Sequence, residues 1–270
     1  MLTCVVIIPI YRPLNVYEKA SLLSCCNLLK NYDICFVTNK NVDISIHLNI
    51  AKEVGVKNII VEFFNKSYFK NIHGYNRLML SKEFYTRFCK YDYMLISQLD
   101  AYIFKDNLEY WCNLGFDYIG APLFPPSNGE IKIDKCFVGN GGLSLRKINK
   151  FIEILNYKFS IKELFSIKRI ESSYFIWRKK LVYFLMLFCL GRINSLFFYF
   201  SNYVFEDRFY SCTLLSTKIE LKVPDPIIAA HFAYDMKPNY LYELMGHQFP
   251  FGVHGWDIRY ESFYNKFIKV

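Results

Sequence analysis

The chain has 270 residues, which is enough for one large domain, or two closely packed lobes, with a substantial buried core. Its net charge of +9 favours a polyanionic partner such as nucleic acid, anionic lipid headgroups or a phosphorylated substrate, and the sign alone does not choose among them. The nine cysteines form no CxxC pair, and the first ten residues lack the basic start of a signal peptide, so we expect reduced thiols in a cytosolic protein that is not exported.

The first hundred residues alternate strand-like and helix-like segments. The apolar runs predict strands over 4–10, 34–38 and 58–63, and helices over 16–29, 45–54 and 76–88. This alternation favours an α/β fold with a mostly parallel central sheet flanked by helices. Because no GxGxxG follows the first strand, an ordinary dinucleotide-binding Rossmann domain loses most of its support.

The next apolar run, over 93–99, ends on a single carboxylate, Asp100. Ligands of open α/β sheets collect at the carboxyl ends of the strands, so Asp100 is a candidate for holding a metal, a ribose or a diphosphate. The alternative is an aspartate that caps the next turn through its own backbone. This motif by itself leaves both interpretations open.

Beyond Asp100 the alternation is less regular. The sequence predicts a short helix over 109–114, a short strand over 118–121 and a loop over 122–133. The segment Gly139-Asn-Gly-Gly142 then precedes an apolar alternation and a helix that runs to about residue 155. Its glycines allow the backbone to approach a ligand closely, and a glycine-rich hairpin is the structural alternative.

Residues 156–203 form a basic, aromatic segment in a chain whose hydrophobic residues reach 53% and whose aromatic residues reach 19%. Its apolar run over 181–190 is too short to span a bilayer, which takes about 20 apolar residues. A helix lying in the membrane interface and a buried helix both fit the pattern.

Two acids and two histidines are the remaining candidates for chemistry. Glu206 and Asp207 precede a helix-like stretch over 208–215, where they would offset the helix dipole or where one would act as a general base. His247 and His254 lie in a glycine-rich aromatic loop, from which an imidazole could reach a metal or a diphosphate. The apolar context of His231 predicts a place in the core. The sequence has no nucleophile elbow, P-loop or HExxH motif, which leaves hydrolase and kinase interpretations without a basis.

Taken in order, seven motifs resemble a bacterial family catalogued as a domain of unknown function, whose members are regarded as glycosyltransferases related to the GT-A superfamily. The motifs are Val6-Ile-Ile-Pro-Ile-Tyr11, Tyr75-Asn-Arg-Leu-Met-Leu-Ser81, Gln98-Leu-Asp-Ala-Tyr102, Asp117-Tyr-Ile-Gly-Ala-Pro122, Gly139-Asn-Gly-Gly-Leu-Ser-Leu-Arg146, Glu206-Asp207 and His254-Gly-Trp256. The resemblance implies one GT-A-like domain over 1–270 with a Rossmann-type sheet. Residues 1–105 would form its nucleotide-sugar-binding half, and 106–270 its C-terminal acceptor-side half.

The resemblance also implies a nucleotide-sugar donor bound at the strand ends. The implied donor-binding residues are Pro9, Tyr11, Arg12, Thr38, Asn39, Asn76, Arg77, Gln98, Asp100, Tyr102, Gly141 and Gly142. The first three would close over the nucleotide, the pair 38–39 would line the base and ribose pocket, and the pair 76–77 would lie near ribose or phosphate.

Asp100 matches the place of the Asp-x-Asp motif of GT-A enzymes, whose acids hold a divalent cation that bridges the donor diphosphate. Tyr102 stands where the second acid would be, and this departure weighs against metal dependence. Asp100 with His254 and the diphosphate oxygens would still complete a site for Mn²⁺ or Mg²⁺. Glu206 or Asp207 would then be the base of an inverting displacement.

These inferences favour a cytosolic, peripherally membrane-associated glycosyltransferase that acts on a glycan or lipid-linked glycan in bacterial surface polysaccharide synthesis. Two other classes stay open. The first is a catalytically inactive sugar-nucleotide-binding scaffold, which fits the absence of a second acid at Tyr102. The second is a basic nucleic-acid-binding protein, which fits the net charge and the aromatic content.

Overall fold

The computed structural model describes residues 2–125, 132–159, 163, 193–194, 205–257 and 259–269. Its first elements are β1 (Cys4–Pro9), α1 (Val16–Leu28), β2 (Asp33–Thr38), α2 (Ser45–Glu53), β3 (Asn58–Phe63), α3 (Ile72–Met79), α4 (Lys82–Arg87), β4 (Tyr93–Ser97), β5 (Ala101–Ile103) and α5 (Leu108–Asn113). Then follow β6 (Tyr118–Gly120), β7 (Pro122–Leu123), β8 (Phe137–Val138), β9 (Leu143–Lys147), α6 (Ile148–Asn156), β10 (Lys158–Phe159), β11 (Ile193–Asn194), α7 (Glu206–Ser211), α8 (Pro226–Phe232), β12 (Ala233–Tyr234), α9 (Pro238–Leu244), β13 (Gly252–His254) and α10 (Glu261–Tyr264). Short 3₁₀ turns lie at Lys66–Phe69, Ile133–Lys135 and Thr213–Ser216.

A six-stranded sheet in the order β3-β2-β1-β4-β9-β6 forms the centre of the fold. The strands from β3 to β4 pair in parallel, whereas β9 runs antiparallel to both of its neighbours. The predicted α/β class, with a mostly parallel central sheet flanked by helices, is therefore confirmed.

Helices cover both faces of this sheet, so its inner strands are apolar on both sides. In β1, Val5 and Ile7 face a core that includes side chains of α3, α4 and α6. Val6 and Ile8 face a second core with side chains of α1, α2 and α5. Every residue of β1 is buried, which explains why the sequence shows a continuous apolar run there.

Side-chain caps set the starts of two helices. Asn15 accepts a hydrogen bond from the backbone of Glu18 (2.7 Å), and Glu18 accepts one from the backbone of Asn15, so that α1 begins at the predicted residue. The prediction of a single helix over 76–88 is wrong. The helix begins at Ile72, because Asn71 caps the N–H of Gly74 (3.0 Å), and it is broken before α4 by the extended backbone of Ser81.

A second, three-stranded sheet in the order β12-β13-β5 joins the C-terminal part of the chain to the end of β4. Strand β13 pairs antiparallel with β5, with His254 opposite Ala101, and in parallel with β12. The two-stranded pairs β7–β8 and β10–β11 are antiparallel. Because β5 follows Asp100 directly, this sheet brings β13 beside the predicted ligand-binding edge.

Three further expectations need correction. His231 is exposed on α8, whereas its neighbours Ala230 and Phe232 are buried, so the prediction that it packs in the core is wrong. The predicted loop over 122–133 contains β7 and the start of a 3₁₀ turn, and its residues 126–131 lie outside the described part. The helix expected over 208–215 begins earlier, at Glu206, and ends at Ser211.

The cysteines of the described residues are all free thiols, namely Cys4, Cys25, Cys26, Cys35, Cys89, Cys112, Cys136 and Cys212. Within the same residues, no helix is both long and apolar enough to cross a membrane. Most of the segment 156–203, on which the expectation of membrane contact depends, lies outside the described residues.

Candidate functional site

The candidate site lies where β4 ends and β9 begins. These two strands are antiparallel neighbours, with Ser97 opposite Leu143, so the residues after β4 meet the residues before β9. The backbone N–H of Gln98 donates to the carbonyl of Gly142 (2.9 Å), which fixes the glycine segment beside the turn that carries Asp100. Two motifs that are separate in the sequence thus form one wall.

His254 joins this wall from the second sheet. Its Nε2 lies 3.3 Å from Asp100 Oδ1 and 3.2 Å from Gln98 Oε1. The N–H of Gly255 donates to the carbonyl of Asp100 (2.9 Å), so both the side chain and the backbone of the 254–255 segment are tied to Asp100. The structure therefore brings together the two residues for which a shared metal was expected.

Asp235 completes this group from the other side of the imidazole. Its Oδ1 lies 2.9 Å from His254 Nδ1, and it accepts a hydrogen bond from Arg259 Nη2 (2.5 Å). Although burial disfavours the imidazolium, the carboxylates of Asp100 and Asp235 raise the pKa of His254 to about 10. Burial opposes ionisation of Asp100 as well, but the charge and hydrogen bond of His254 lower the pKa of that carboxyl.

The donor set at Asp100 and His254 fits a small divalent cation that a diphosphate also binds. Two ligands at right angles and about 2.1 Å from a metal lie about 3.0 Å apart, close to the observed 3.3 Å between Oδ1 and Nε2. In the part of the chain that the structure describes, no group of three or more His, Cys, Asp or Glu side chains could hold a metal ion. A cation here would accordingly need oxygens from a ligand.

Gly141 and Gly142 lie between two ionisable side chains, those of Glu206 and His254. A Cβ atom on Gly142 would lie 1.9 Å from His254 Nε2, and one on Gly141 would lie 1.9 Å from Glu206 Oε1. Real Cβ atoms essentially never approach another atom closer than 3.0 Å. The absence of side chains at these two positions is therefore what allows His254 and Glu206 to flank the same short stretch of backbone.

Glu206 forms a buried ion pair with Arg146, Oε1 to Nη2 at 3.0 Å. The Arg146 side chain is 0% exposed and also donates to Tyr85 OH (2.8 Å) and Ser144 Oγ (3.0 Å). Among the described residues, Glu206 Oε2 is buried without a hydrogen-bond partner. Burial raises the pKa of Glu206 to about 7, and the charge of Arg146 only partly offsets this shift.

Asp207 is the more accessible of the two acids at the start of α7. It is half-buried, and its Oδ1 accepts a hydrogen bond from the backbone of Arg208 (2.7 Å). Burial raises the pKa of Asp207, and the negative charge of Asp235 makes a smaller contribution in the same direction. A half-buried carboxylate of raised pKa can take a proton from a neighbouring hydroxyl.

The residues expected around the nucleotide lie at the ends of β1 and β2. Pro9 closes β1, and Tyr11 follows it with its ring exposed. Partial removal of Tyr11 from water raises the pKa of its hydroxyl, and the charge of Asp100 adds to the shift. Arg12 pairs with Glu18 (2.8 Å). Thr38 and Asn39 are both buried at the end of β2.

Asn76, Arg77 and Tyr102 lie in different surroundings from one another. Asn76 is buried on α3, where its amide bonds the carbonyl of Ile72 (2.8 Å) and the N–H of Glu206 (2.8 Å), and so holds the start of α7. Arg77 is half-buried on the same helix. Tyr102, on β5, packs edge-on against Trp256 with ring centroids 5.8 Å apart.

His247, the other histidine expected to reach a ligand, packs its ring edge-on against Tyr242 at 5.2 Å. The two residues that sequence reasoning left without a role are Asp235 and Arg146. Arg146 stands at the end of a quoted motif, as a charge in an otherwise apolar alternation, and this signal could have marked it as an inward-facing cation. Asp235 carries no such local signal.

Comparison with solved structures gives several likenesses at low identity. Mouse xyloside xylosyltransferase 1 in its apo form aligns over 94% of this chain and 97% of its own, with 11% identity and a TM-score of 0.49. Core-mannan synthase A from Aspergillus fumigatus, in its Mn/GDP form, aligns over 56% of this chain and 61% of its own, with 12% identity and a TM-score of 0.41. A glycosyltransferase involved in glycosylation of the major capsid of PBCV-1 aligns over 93% of both chains, with 11% identity and a TM-score of 0.41.

The chain spans about three fifths of the Aspergillus protein, and TM-scores below 0.5 give these likenesses no weight in a functional argument. No curated protein matches the chain. A family model does match residues 58–254, more than half of the chain, including Asp100, the glycine segment and His254. The chain belongs to the family described as Protein of unknown function (DUF5672).

Proposed function

We propose that the chain is a glycosyltransferase that moves a sugar from a nucleotide-sugar donor to a glycan or lipid-linked glycan. The observation that carries the proposal is that His254 Nε2 lies within 3.3 Å of both Asp100 Oδ1 and Gln98 Oε1 at the end of β4. This edge of a parallel sheet is where α/β proteins bind nucleotides. The acceptor side would include Gly141, Gly142 and the acids of α7.

Asp100 and His254 would hold a Mn²⁺ or Mg²⁺, which when bound would neutralise the negative charge of the donor diphosphate. Tyr11 and Arg12, after β1, would cover the nucleotide, and Thr38 and Asn39, after β2, would line its base and ribose. The half-exposed Arg12 guanidinium forms an ion pair with the buried Glu18 carboxylate, and this contact restricts the position of the Arg12 side chain.

Asp207 is the proposed general base. It would accept the proton of the acceptor hydroxyl while that oxygen forms a bond to the anomeric carbon. The bond from this carbon to the diphosphate oxygen breaks, and its electron pair leaves with the nucleoside diphosphate. Attack from the face opposite the leaving group inverts the configuration of the sugar. Glu206 is less suited to this task because its side chain is only 3% exposed and is paired with Arg146.

Donor binding is tested by thermal unfolding with a panel of UDP-, GDP-, CMP- and dTDP-sugars, each with and without Mn²⁺ or Mg²⁺. A ligand at 100 times its Kd stabilises the folded state by about 2.7 kcal/mol. For a chain of this size that corresponds to a rise in Tm of about 5–10 °C. We expect a rise with one nucleotide family, lost in Asp100→Asn. The absence of any rise in the wild-type protein would refute the proposal.

The assignment of the base is tested separately with the donor so identified. Asp207→Asn should keep the donor-induced rise in Tm and lower the rate of transfer by about 10²–10⁴-fold. Equal rates in the wild type and in Asp207→Asn would remove Asp207 from this role. The Asn variant is nearly isosteric, so a loss of donor binding would instead indicate a place in the donor pocket.

A catalytically inactive sugar-nucleotide-binding protein is the second candidate, and the position of Tyr102 favours it. Tyr102 is not a carboxylic acid, and its ring packs against Trp256, so this position gives Asp100 no second acid. A donor-induced rise in Tm without transfer to any acceptor, and without hydrolysis of the donor, would support this candidate over the first.

A further inference from the structure

Asp235 is a buried carboxylate that the proposed transfer does not use directly. Its side chain is 3% exposed and lies just after β12, with Oδ1 2.9 Å from His254 Nδ1. Arg259 Nη2 donates to the same oxygen (2.5 Å). Burial of a carboxylate is costly unless it is paired and hydrogen-bonded, and these two donors meet that requirement.

The contact with Asp235 determines where the imidazole of His254 carries its proton. An ionised carboxylate only accepts hydrogen bonds, so Nδ1 must be the protonated nitrogen. A cation that binds Nε2 would displace the proton from that atom, so the bound imidazole would keep its proton on Nδ1. This atom faces Asp100 Oδ1 at 3.3 Å and Gln98 Oε1 at 3.2 Å.

The ring is also fixed in space. Nε2 lies against the backbone of Gly142, where an added Cβ would be 1.9 Å away, so the imidazole has little room to move in that direction. On the other side of the ring, Asp235 is held by Arg259, whose Nη2 donates to the same oxygen that faces Nδ1. Histidines that bind metals commonly donate their second N–H to a carboxylate in this way.

We propose that Asp235 is a positioning residue, which accepts the Nδ1–H of His254 and thereby orients the ring so that Nε2 is the nitrogen that a divalent cation beside Asp100 would bind. This role rests on the proposed function, because the cation is the one that the donor diphosphate would share. It adds to the site a residue that does not itself contact the donor, the acceptor or the cation.

The test is Asp235→Asn in the full chain, with Mn²⁺ as the probe. The asparagine amide can donate to Nδ1, which favours the opposite tautomer and places the proton on Nε2, where it blocks metal binding. The affinity for Mn²⁺, followed by the electron paramagnetic resonance signal of the free ion, should fall about 10–100-fold. The exposed Asp106 offers a matched control, since Asp106→Asn makes the same chemical change away from the site and should leave Mn²⁺ affinity unchanged.

A second readout is the ¹⁵N spectrum of histidine-labelled protein, with the signal of His254 assigned by its loss in His254→Gln. At an alkaline pH that leaves the imidazole neutral, we expect a proton on Nδ1 in the wild type, and in Asp235→Asn we expect that proton to be absent. If Asp235→Asn does not fold, the wild-type spectrum still decides, because an Nδ1 without a proton would overturn the proposal.

Unchanged Mn²⁺ affinity in a folded Asp235→Asn variant would also overturn it. If the wild-type protein binds no Mn²⁺, the cation in the proposed function fails, and the spectra then decide the positioning role separately. A proton on Nδ1 in the wild type but not in the variant supports positioning by Asp235, and identical protonation in both refutes it.

Discussion

Replacement of Arg146 by methionine should strongly destabilise the protein at pH 8, where Glu206, with a pKa of about 7, is ionised. The pair is fully buried, with side-chain exposures of 0% and 3% and an N–O distance of 3.0 Å. Loss of the guanidinium removes the charge that lowers the pKa of Glu206, so the buried carboxyl must either stay ionised without a counter-charge or take up a proton. Tyr85 and Ser144 each lose a hydrogen-bond donor as well. Breaking such a pair costs about 3–5 kcal/mol, a large part of a total free energy of unfolding of about 5–15 kcal/mol.

The measurement is urea unfolding followed by circular dichroism, with the slope checked for each variant. In Arg146→Met/Glu206→Gln no unpaired charge is left, so the double variant should be less unstable than the sum of the single changes by about 2–3 kcal/mol. Arg87 gives a matched control, because its ion pair with Glu62 has side-chain exposures of 32% and 33%. Arg87→Met should cost about 0–1 kcal/mol.

Two outcomes would refute this reasoning. The first is a cost for Arg146→Met no larger than that for Arg87→Met, which would mean that the buried guanidinium is not needed to balance Glu206. The second is strict additivity in the double variant, which would mean that the two side chains stabilise the fold independently.

Three further predictions concern the titration of Glu206, the close approach of Gly142 to His254 and the basic residues at 178–180. Glu206 has a raised pKa in the folded state, so its contribution to stability is fully present below the ordinary glutamate pKa of 4.5 and is lost as the pH rises to about 7. Denaturant unfolding should show this loss in the wild type and not in Glu206→Gln. Free energies of unfolding that change with pH in the same way in both proteins would contradict it. Gly142→Ala should displace His254 by more than 1 Å and weaken Mn²⁺ binding or transfer by about 10²-fold. The control is Gly55→Ala, where the added Cβ meets open space at φ +77° and should cost only about 1–2 kcal/mol of stability through its backbone. Unchanged Mn²⁺ binding and transfer in Gly142→Ala would refute the steric reasoning. Alanine at the three basic residues 178–180 should weaken binding to anionic liposomes by about 10²-fold, and unchanged sedimentation with liposomes would refute the expected membrane contact.

The order of strands and helices in the first hundred residues could be predicted because burial on both sides of a parallel sheet leaves continuous apolar runs. The run that became β1 is fully buried, and its predicted and observed bounds differ by one residue. The break between α3 and α4 could not be predicted in this way, since the apolar pattern over 76–88 continues through it. It depends on the backbone of Ser81, which is extended in the folded chain.

Part of the candidate site was also visible in the sequence. Asp100 and His254 were expected to act together, and the structure places them in contact. The contact of Asp235 with His254 could not be predicted, because it depends on the parallel pairing of β12 with β13. These strands are too short to show a periodic pattern of apolar residues. His231 was misplaced for a related reason: an apolar neighbourhood in sequence does not specify which face of a short helix turns outward.

The groups of the candidate site come from distant parts of the chain. Gln98 and His254 are 156 residues apart, and Asn76 and Glu206, which are bonded to each other, are 130 residues apart. Contacts of this separation form late and slowly when a protein folds, because long loops must close before any favourable contact is gained. Newly made chains of this protein should therefore acquire their sheet before the contact between Gln98 and His254, and a protease cut anywhere between 98 and 254 would leave these two residues on different fragments.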